Sequence, residues 1–283
     1  MKPQPYKTVL GIDIGGTKID LGLVSDGQVI QKHNFKIGDL NDRKSLLDGL
    51  VSAIKSFDVS EIQAIGIGVP GIVDPDRGFV LDLQNIPLWF ELPLADLLEK
   101  EFQRPIKLNN DANCFALGHA HFDVGKKWRN FAALTLGTGL GMGMIINGEL
   151  YSGLMSGAGE IGMVPYRDGI VEDYAASQFF VRQFGMSAEK LHQMALDGDP
   201  MALDAYSQYG NELGNALKIV MSMMAPEGIV LGGSIAKAHE FFWSSMIMSL
   251  EHFEYRAQLE QTSVVTSEHS DIALLGAAAL CWA

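Results

Sequence analysis

Cysteine is nearly absent: Cys114 and Cys281 are the only two in 283 residues. Two thiols so far apart build neither a disulfide framework nor a four-cysteine zinc site, and that usage fits a reducing compartment. Long apolar runs are equally scarce. The longest, Ile272 to Ala283, is too short and too alanine-rich to span a bilayer and reads as a buried C-terminal helix. The opening residues Met1 to Pro5 lack the apolar core of a signal segment, so a cytoplasmic location is expected. Positive charge is in deficit, with 21 Lys and Arg against 34 Asp and Glu and a net charge of −13. That argues against nucleic acid and anionic membranes as partners, because both want clustered Lys and Arg. It leaves an anionic nucleotide open, since a glycine loop and a magnesium ion hold one locally. Low-complexity tracts, a helix-turn-helix pattern and a Walker G-x-x-x-x-G-K-[ST] motif are all missing.

What is present is an internal echo. Leu10 to Ile14 is an apolar strand running into Gly15-Gly16-Thr17-Lys18, then a second strand from Ile19 to Ser25, then an Asp26-Gly27 turn into Gln28-Val29-Ile30. Ala133 to Leu136 repeats the plan: it runs into Gly137-Thr138-Gly139, continues through Met142 to Ile146, and turns at Asn147-Gly148 into Glu149. Asp-Gly and Asn-Gly between apolar runs are strong hairpin signals, because both central residues need positive φ. Two such units imply two similar domains facing each other. Between them the apolar spacing predicts helices over Asp42–Phe57, Leu94–Phe102, Ala112 to about Phe122, Glu172–Phe184 and Ala202–Ala225. Strands are expected at Ile62–Val69, Ile106–Asn109 and Ile229–Leu231, which makes the architecture α/β. The methionines Met221, Met223 and Met224 read as core gap-fillers.

Gly66-Ile67-Gly68-Val69-Pro70-Gly71 matches the dinucleotide fingerprint, but turn residues, not a helix, follow it. The Asp13-to-Lys18 loop carries more chemistry. Glycines let the backbone bring N–H groups up to phosphate oxygens, a hydroxyl and an ammonium add donors, and Asp13 can hold a hydrated magnesium ion. Gly137-Thr138-Gly139 can clamp the same triphosphate from the other side. Each loop alone is equally a tight turn that needs glycine for φ. Asp111, where a strand meets a helix, is either a helix cap or a base that accepts the proton of an attacking hydroxyl. Asn85, Asn110, Glu160 and Glu172 would form a ring of polar groups suited to a polyhydroxylated ligand.

Taken in order, Asp13-to-Lys18, Gly68-to-Gly71, Asn110-Asp111-Ala112-Asn113, Leu136-to-Gly141, Gly159-to-Gly162, Leu231-Gly232-Gly233 and Leu274-to-Ala278 resemble the ROK family of sugar kinases along almost the whole chain. The resemblance implies the two-domain actin-like (ribonuclease H-like) ATPase fold, with residues 1–111 plus about 270–283 in one domain and 112–269 in the other. It implies Asp111 as the base for a sugar 6-hydroxyl, with ATP and magnesium as cofactors and glucose as the first substrate. An N-acetylhexosamine kinase and a silent sugar-binding regulator are the alternatives. By the same resemblance Asn85, Asn110, Glu160, Glu172 and Gly71 contact the sugar. Gly15, Gly16, Thr17, Lys18, Thr138 and Gly139 line the phosphates, and Gly232 and Gly233 lie by adenosine. A homodimer is implied too. One departure stands out: Met163 occupies the place of the family's zinc-binding histidine, and the cysteine cluster that follows is replaced by the short stretch Val164–Val171. No zinc is therefore expected.

Overall fold

The computed structural model describes residues 6–37, 42–82 and 89–282. The N-terminal half opens with β1 (Thr8–Ile14), β2 (Lys18–Ser25) and β3 (Gln28–Lys36), an antiparallel meander, followed by α1 (Arg43–Lys55). Next come β4 (Ala64–Val69), a small ribbon of β5 (Ile72–Asp74) and β6 (Phe79–Asp82), α2 (Leu94–Phe102) and β7 (Ile106–Asn110). The sheet order is β3-β2-β1-β4-β7, with β4 and β7 parallel to β1. β4 is buried along its whole length, as a central parallel strand covered on both faces must be.

Helix α3 (Asp111–Phe122) then leads into a second sheet. Its meander is β8 (Phe131–Leu136), β9 (Leu140–Ile146) and β10 (Glu149–Leu150). A hairpin of β11 (Pro165–Tyr166) and β12 (Gly169–Ile170) precedes α4 (Glu172–Ala175), α5 (Ser177–Phe184), α6 (Ala188–Leu196) and α7 (Pro200–Met224). The chain closes with β13 (Gly228–Gly232), α8 (His239–Leu250), α9 (Arg256–Gln261), β14 (Ser263–Thr266) and α10 (Ile272–Ala279). The order β10-β9-β8-β13-β14 repeats that of the first sheet, three antiparallel strands and then two parallel ones. The echo in the sequence is thus a repeat of topology. Its turns take the expected form: Asp26, Gly27, Asn147 and Gly148 all have positive φ.

Helices α3 and α10 join the halves. Val9, Val24 and Ala64 of the first sheet share one buried cluster with Phe131, Ala133 and Val230 of the second, and with Phe115, Leu275 and Ala278 of these helices. The approach is close enough to require glycine. A Cβ at Gly276 would lie 1.7 Å from the Cys114 carbonyl oxygen, and one at Gly66 would lie 1.8 Å from that of Ala277. The C-terminal apolar run is therefore a buried helix because it is sandwiched between backbones.

Two expectations are corrected. Residues 172–184 are not one helix: Ala176 is extended (φ −129, ψ −171), and the Ser177 N–H leaves the helical ladder to donate to the Gly137 carbonyl at 2.9 Å. Of the three methionines, Met221 is buried and Met224 packs on the core, but Met223 is 78% exposed at the end of α7. No helix among the described residues is long and apolar enough to cross a membrane.

Candidate active site

The loops at the ends of β1, β4, β7, β8 and β13 converge on a cleft of ≈ 380 Å³. Gly15 and Gly16 line it from the first sheet, and Gly137, Thr138 and Gly139 from the second. Each loop is closed by one short bond, from the Gly15 N–H to the Lys18 carbonyl at 2.9 Å and from the Gly137 N–H to the Gly139 carbonyl at 3.1 Å. Gly71, Asn110, Asp111, Glu160, Glu172 and Gly233 also face the cleft. Gly233 has φ +92, and a Cβ there would strike the Leu136 carbonyl oxygen at 2.4 Å. Only glycine lets β13 pass so near the loop after β8.

The junction of β7 and α3 sorts two adjacent residues into different roles. Asn110 is the N-cap: its side-chain oxygen accepts the N–H groups of Ala112 at 2.9 Å and Asn113 at 3.3 Å. Its amide nitrogen donates to the Gly71 carbonyl at 3.1 Å, which ties the cap to the turn after β4. Asp111 is the first helical residue, and its carboxylate accepts the neighbouring Ala112 N–H at 2.8 Å. Capping therefore falls to Asn110, and the Asp111 carboxylate faces the cleft. Beneath them Asn109 bonds Asn113 at 2.9 Å and Ser152 at 3.1 Å, a polar link that sequence reasoning missed.

Asp111 and Glu160 line this end of the cleft, and Asp13, on the wall of a neighbouring cavity, is near enough for its charge to act on Asp111. Burial, then the charge of Asp13, and to a lesser degree that of Glu160, raise the Asp111 pKa to about 7. The Ala112 N–H bond opposes this only in part. Burial and Asp20 raise Asp13 to about 6, with Lys18 offsetting some of the rise. Glu160 is raised by burial and by Glu172. Such a set is short of positive charge. It fits a hydrated magnesium ion, which takes one or two carboxylates and fills its remaining positions with water and phosphate oxygens. Asp13 is the residue that would hold it. No group of three or more His, Cys, Asp or Glu able to cage a metal occurs among the described residues.

Other expected residues lie apart from the cleft wall. The Lys18 ammonium pairs with Asp20 at 2.6 Å, and both line a neighbouring cavity of ≈ 300 Å³ together with Asp13. Thr17 is engaged through its backbone, its carbonyl accepting the Ile37 N–H at 3.0 Å. Gly232 is buried under Phe115, where a Cβ would sit 2.4 Å from the ring. Its glycine serves packing. Asn85 falls outside the described residues. Glu172 reaches the cleft with one oxygen already used, since its Oε2 accepts the Leu140 N–H at 2.8 Å. Met163, in the place of the family's histidine, lines the cleft and is 41% exposed, and Met142, which no motif announced, lines it too.

The short stretch after Met163 is a hairpin held by charge and rings. Pro165 pairs with Ile170 and Tyr166 with Gly169 across β11 and β12, and Val164 and Tyr166 pack on the buried cluster that holds Leu134, Phe180 and Tyr209. The Arg167 guanidinium lies over the rings of Tyr166 and Tyr174 at 5.4 and 5.3 Å and pairs with Glu212 at 2.7 Å. Arg182 covers Tyr174 from 5.3 Å and pairs with Asp173 at 3.1 Å.

A match to the ROK family spans residues 9–283. The chain is 31% identical over 264 residues to a glucokinase of Streptomyces coelicolor, covering 80% of this chain and 82% of that protein. It is 25% identical over 304 residues to a xylose repressor of Caldicellulosiruptor bescii, covering 95% of this chain and 76% of that one. Its fold superposes on a ROK family glucokinase from Streptomyces griseus, solved with glucose and AMPPNP, with a TM-score of 0.83 and 26% identity over 96% of this chain and 98% of the other.

Proposed function

The chain belongs to the ROK family, and from that premise we propose that it transfers the terminal phosphoryl group of ATP to the 6-hydroxyl of a hexose, with glucose as the first substrate. The observation that carries the reading is the Asp111 carboxylate, which lines a cleft between two glycine loops at a helix start that Asn110 caps. Phosphoryl transfer asks little covalent chemistry of a protein; it asks for positioning, charge stabilisation and a group to take the hydroxyl proton. With a pKa raised to about 7, Asp111 is suited to accept that proton near neutral pH. Backbone N–H groups at Gly16, Thr138 and Gly139 hold the phosphates, while those of Gly15 and Gly137 close the loops. Glu160 and Asn110 orient the sugar, and Asp13 holds the hydrated magnesium ion, which neutralises phosphate charge when bound. The domains meet at this cleft, residues 1–111 and about 270–283 on one side and 112–269 on the other.

A second reading is favoured by the two methionines. Met163 and Met142 line the cleft, and a methionine side chain packs well against the methyl of an acetamido group. That points to an N-acetylhexosamine as the alternative substrate. A silent sugar-binding regulator is the third reading, supported by the likeness to a repressor. An ADP-release assay over a panel of hexoses and N-acetylhexosamines separates them. Turnover fastest with glucose supports the first reading, turnover confined to acetamido sugars the second, and no turnover with any sugar overturns both.

A further inference from the structure

Glu172 opens α4, and its carboxylate does not simply wait in the cleft. Its Oε2 accepts the N–H of Leu140 at 2.8 Å, directly after the glycine turn that closes the second loop. The surroundings are cut to admit that oxygen. A Cβ on Gly139 would lie 2.7 Å from it, and one on Gly162 would lie 3.3 Å from it. The break between α4 and α5 fastens the same loop twice more. The Ser177 N–H donates to the Gly137 carbonyl at 2.9 Å, and the Ser177 hydroxyl donates to the Thr138 carbonyl at 3.1 Å. Residues 137, 138 and 140 are thus each tied to one rigid corner of the helical layer, and the backbone N–H groups between them inherit that orientation.

We propose that Glu172 is a positioning residue for the phosphate-binding loop: with Ser177 it fixes Gly137–Leu140 in the form that receives the nucleotide, whether or not a sugar is present. This rests on the kinase reading above. Its consequence differs from that of a sugar ligand, because a sugar ligand changes affinity for sugar alone. A bond from a backbone N–H to a carboxylate is among the stronger kind, and its loss leaves the donor without its partner.

The test is isothermal titration of magnesium AMPPNP into sugar-free protein, with thermal melts alongside. Glu172→Ala is expected to bind about tenfold or more weakly than the parent. Glu172→Gln keeps an oxygen that accepts the Leu140 N–H, and is expected to recover most of that loss. Ser177→Ala, outside the cleft wall, is expected to weaken binding in the same direction by a smaller factor. Parent-like nucleotide affinity in Glu172→Ala overturns the proposal and leaves Glu172 to the sugar. If Glu172→Ala does not fold, unchanged affinity in Ser177→Ala overturns it instead. A parent that binds no nucleotide sinks the kinase reading itself and this proposal with it, an outcome distinct from the other two.

Discussion

The Asn110 side-chain oxygen and the Ala112 N–H meet at 2.9 Å, one residue to either side of Asp111. This bond decides how the junction behaves under mutation. Asn110→Ala removes the cap of α3 and the tie to the Gly71 carbonyl together. A loss of about 1–2 kcal/mol of unfolding free energy is expected in urea denaturation. Asn110→Ser retains an acceptor for the cap and should lose less. Equal losses in the two variants would show that the Gly71 tie, and not the cap, carries the stability.

The hairpin of β11 and β12 gains its hold from Arg167, set over two tyrosine rings and against Glu212. The Arg167 side chain is half exposed, so the ion pair is discounted for solvent screening. Arg167→Ala is expected to cost about 1 kcal/mol, mostly the loss of ring stacking. A metal chelator is expected to leave the melting temperature unchanged, because Met163 and the short stretch Val164–Val171 offer neither the histidine nor the cysteines through which zinc binding would be coupled to folding. A chelator-induced drop in melting temperature, with zinc recovered from the purified protein by elemental analysis, would contradict this.

The two glycine loops belong to different sheets, and the halves meet through α3, α10 and the bond from Asn109 to Ser152. Closure of the halves over bound sugar is expected, because both loops must converge on one triphosphate and closure keeps water from the phosphoryl group. Small-angle scattering with saturating glucose should show a smaller radius of gyration than without it. An unchanged radius with a sugar that the protein demonstrably turns over would count against closure.

Much of this was legible in the sequence, for physical reasons. The hairpin turns at Asp26-Gly27 and Asn147-Gly148 need positive φ, so their residues announce them. The buried strand Ala64–Val69 and the C-terminal helix are apolar on every side, so composition alone reveals them. Other features depend on partners far away in the chain. Ala176 breaks a helix because Ser177 is drawn to Gly137, forty residues back, and no local propensity records that. Lys18 reads as a phosphate donor beside its glycines, but the strand alternation carries it to Asp20. Gly232 and Gly233 look alike in sequence. One is glycine for Phe115 and the other for the backbone of Leu136.

Asp111 offers the sharpest test, because the two explanations of its position separate in one variant. Asp111→Asn keeps size and leaves the cap on Asn110 untouched, so the fold should survive. The variant cannot accept a proton at neutral pH, and turnover is expected to fall by roughly two orders of magnitude or more, with nucleotide binding intact. Stability should move the other way. The folded pKa of Asp111 is raised from 3.8 to about 7, so between these values the folded state binds more protons than the unfolded state. Stability contributed by this group therefore falls as pH rises from about 4 to about 7, and the cost of the buried charge is fully present above that. The amide carries no such cost. Asp111→Asn should accordingly melt above the parent at pH 8 and converge with it toward pH 4. In the parent, kcat/KM should fall on the acid side as Asp111 takes up its proton near pH 7, and the residual rate of the variant should lack that limb. Steady-state turnover across pH, beside thermal melts at pH 4 and pH 8, reads all three. Parent-like turnover in the variant would place the base elsewhere. A variant that melts below its parent at pH 8 would mean that the carboxylate supports the fold through contacts the Asn110 cap does not replace.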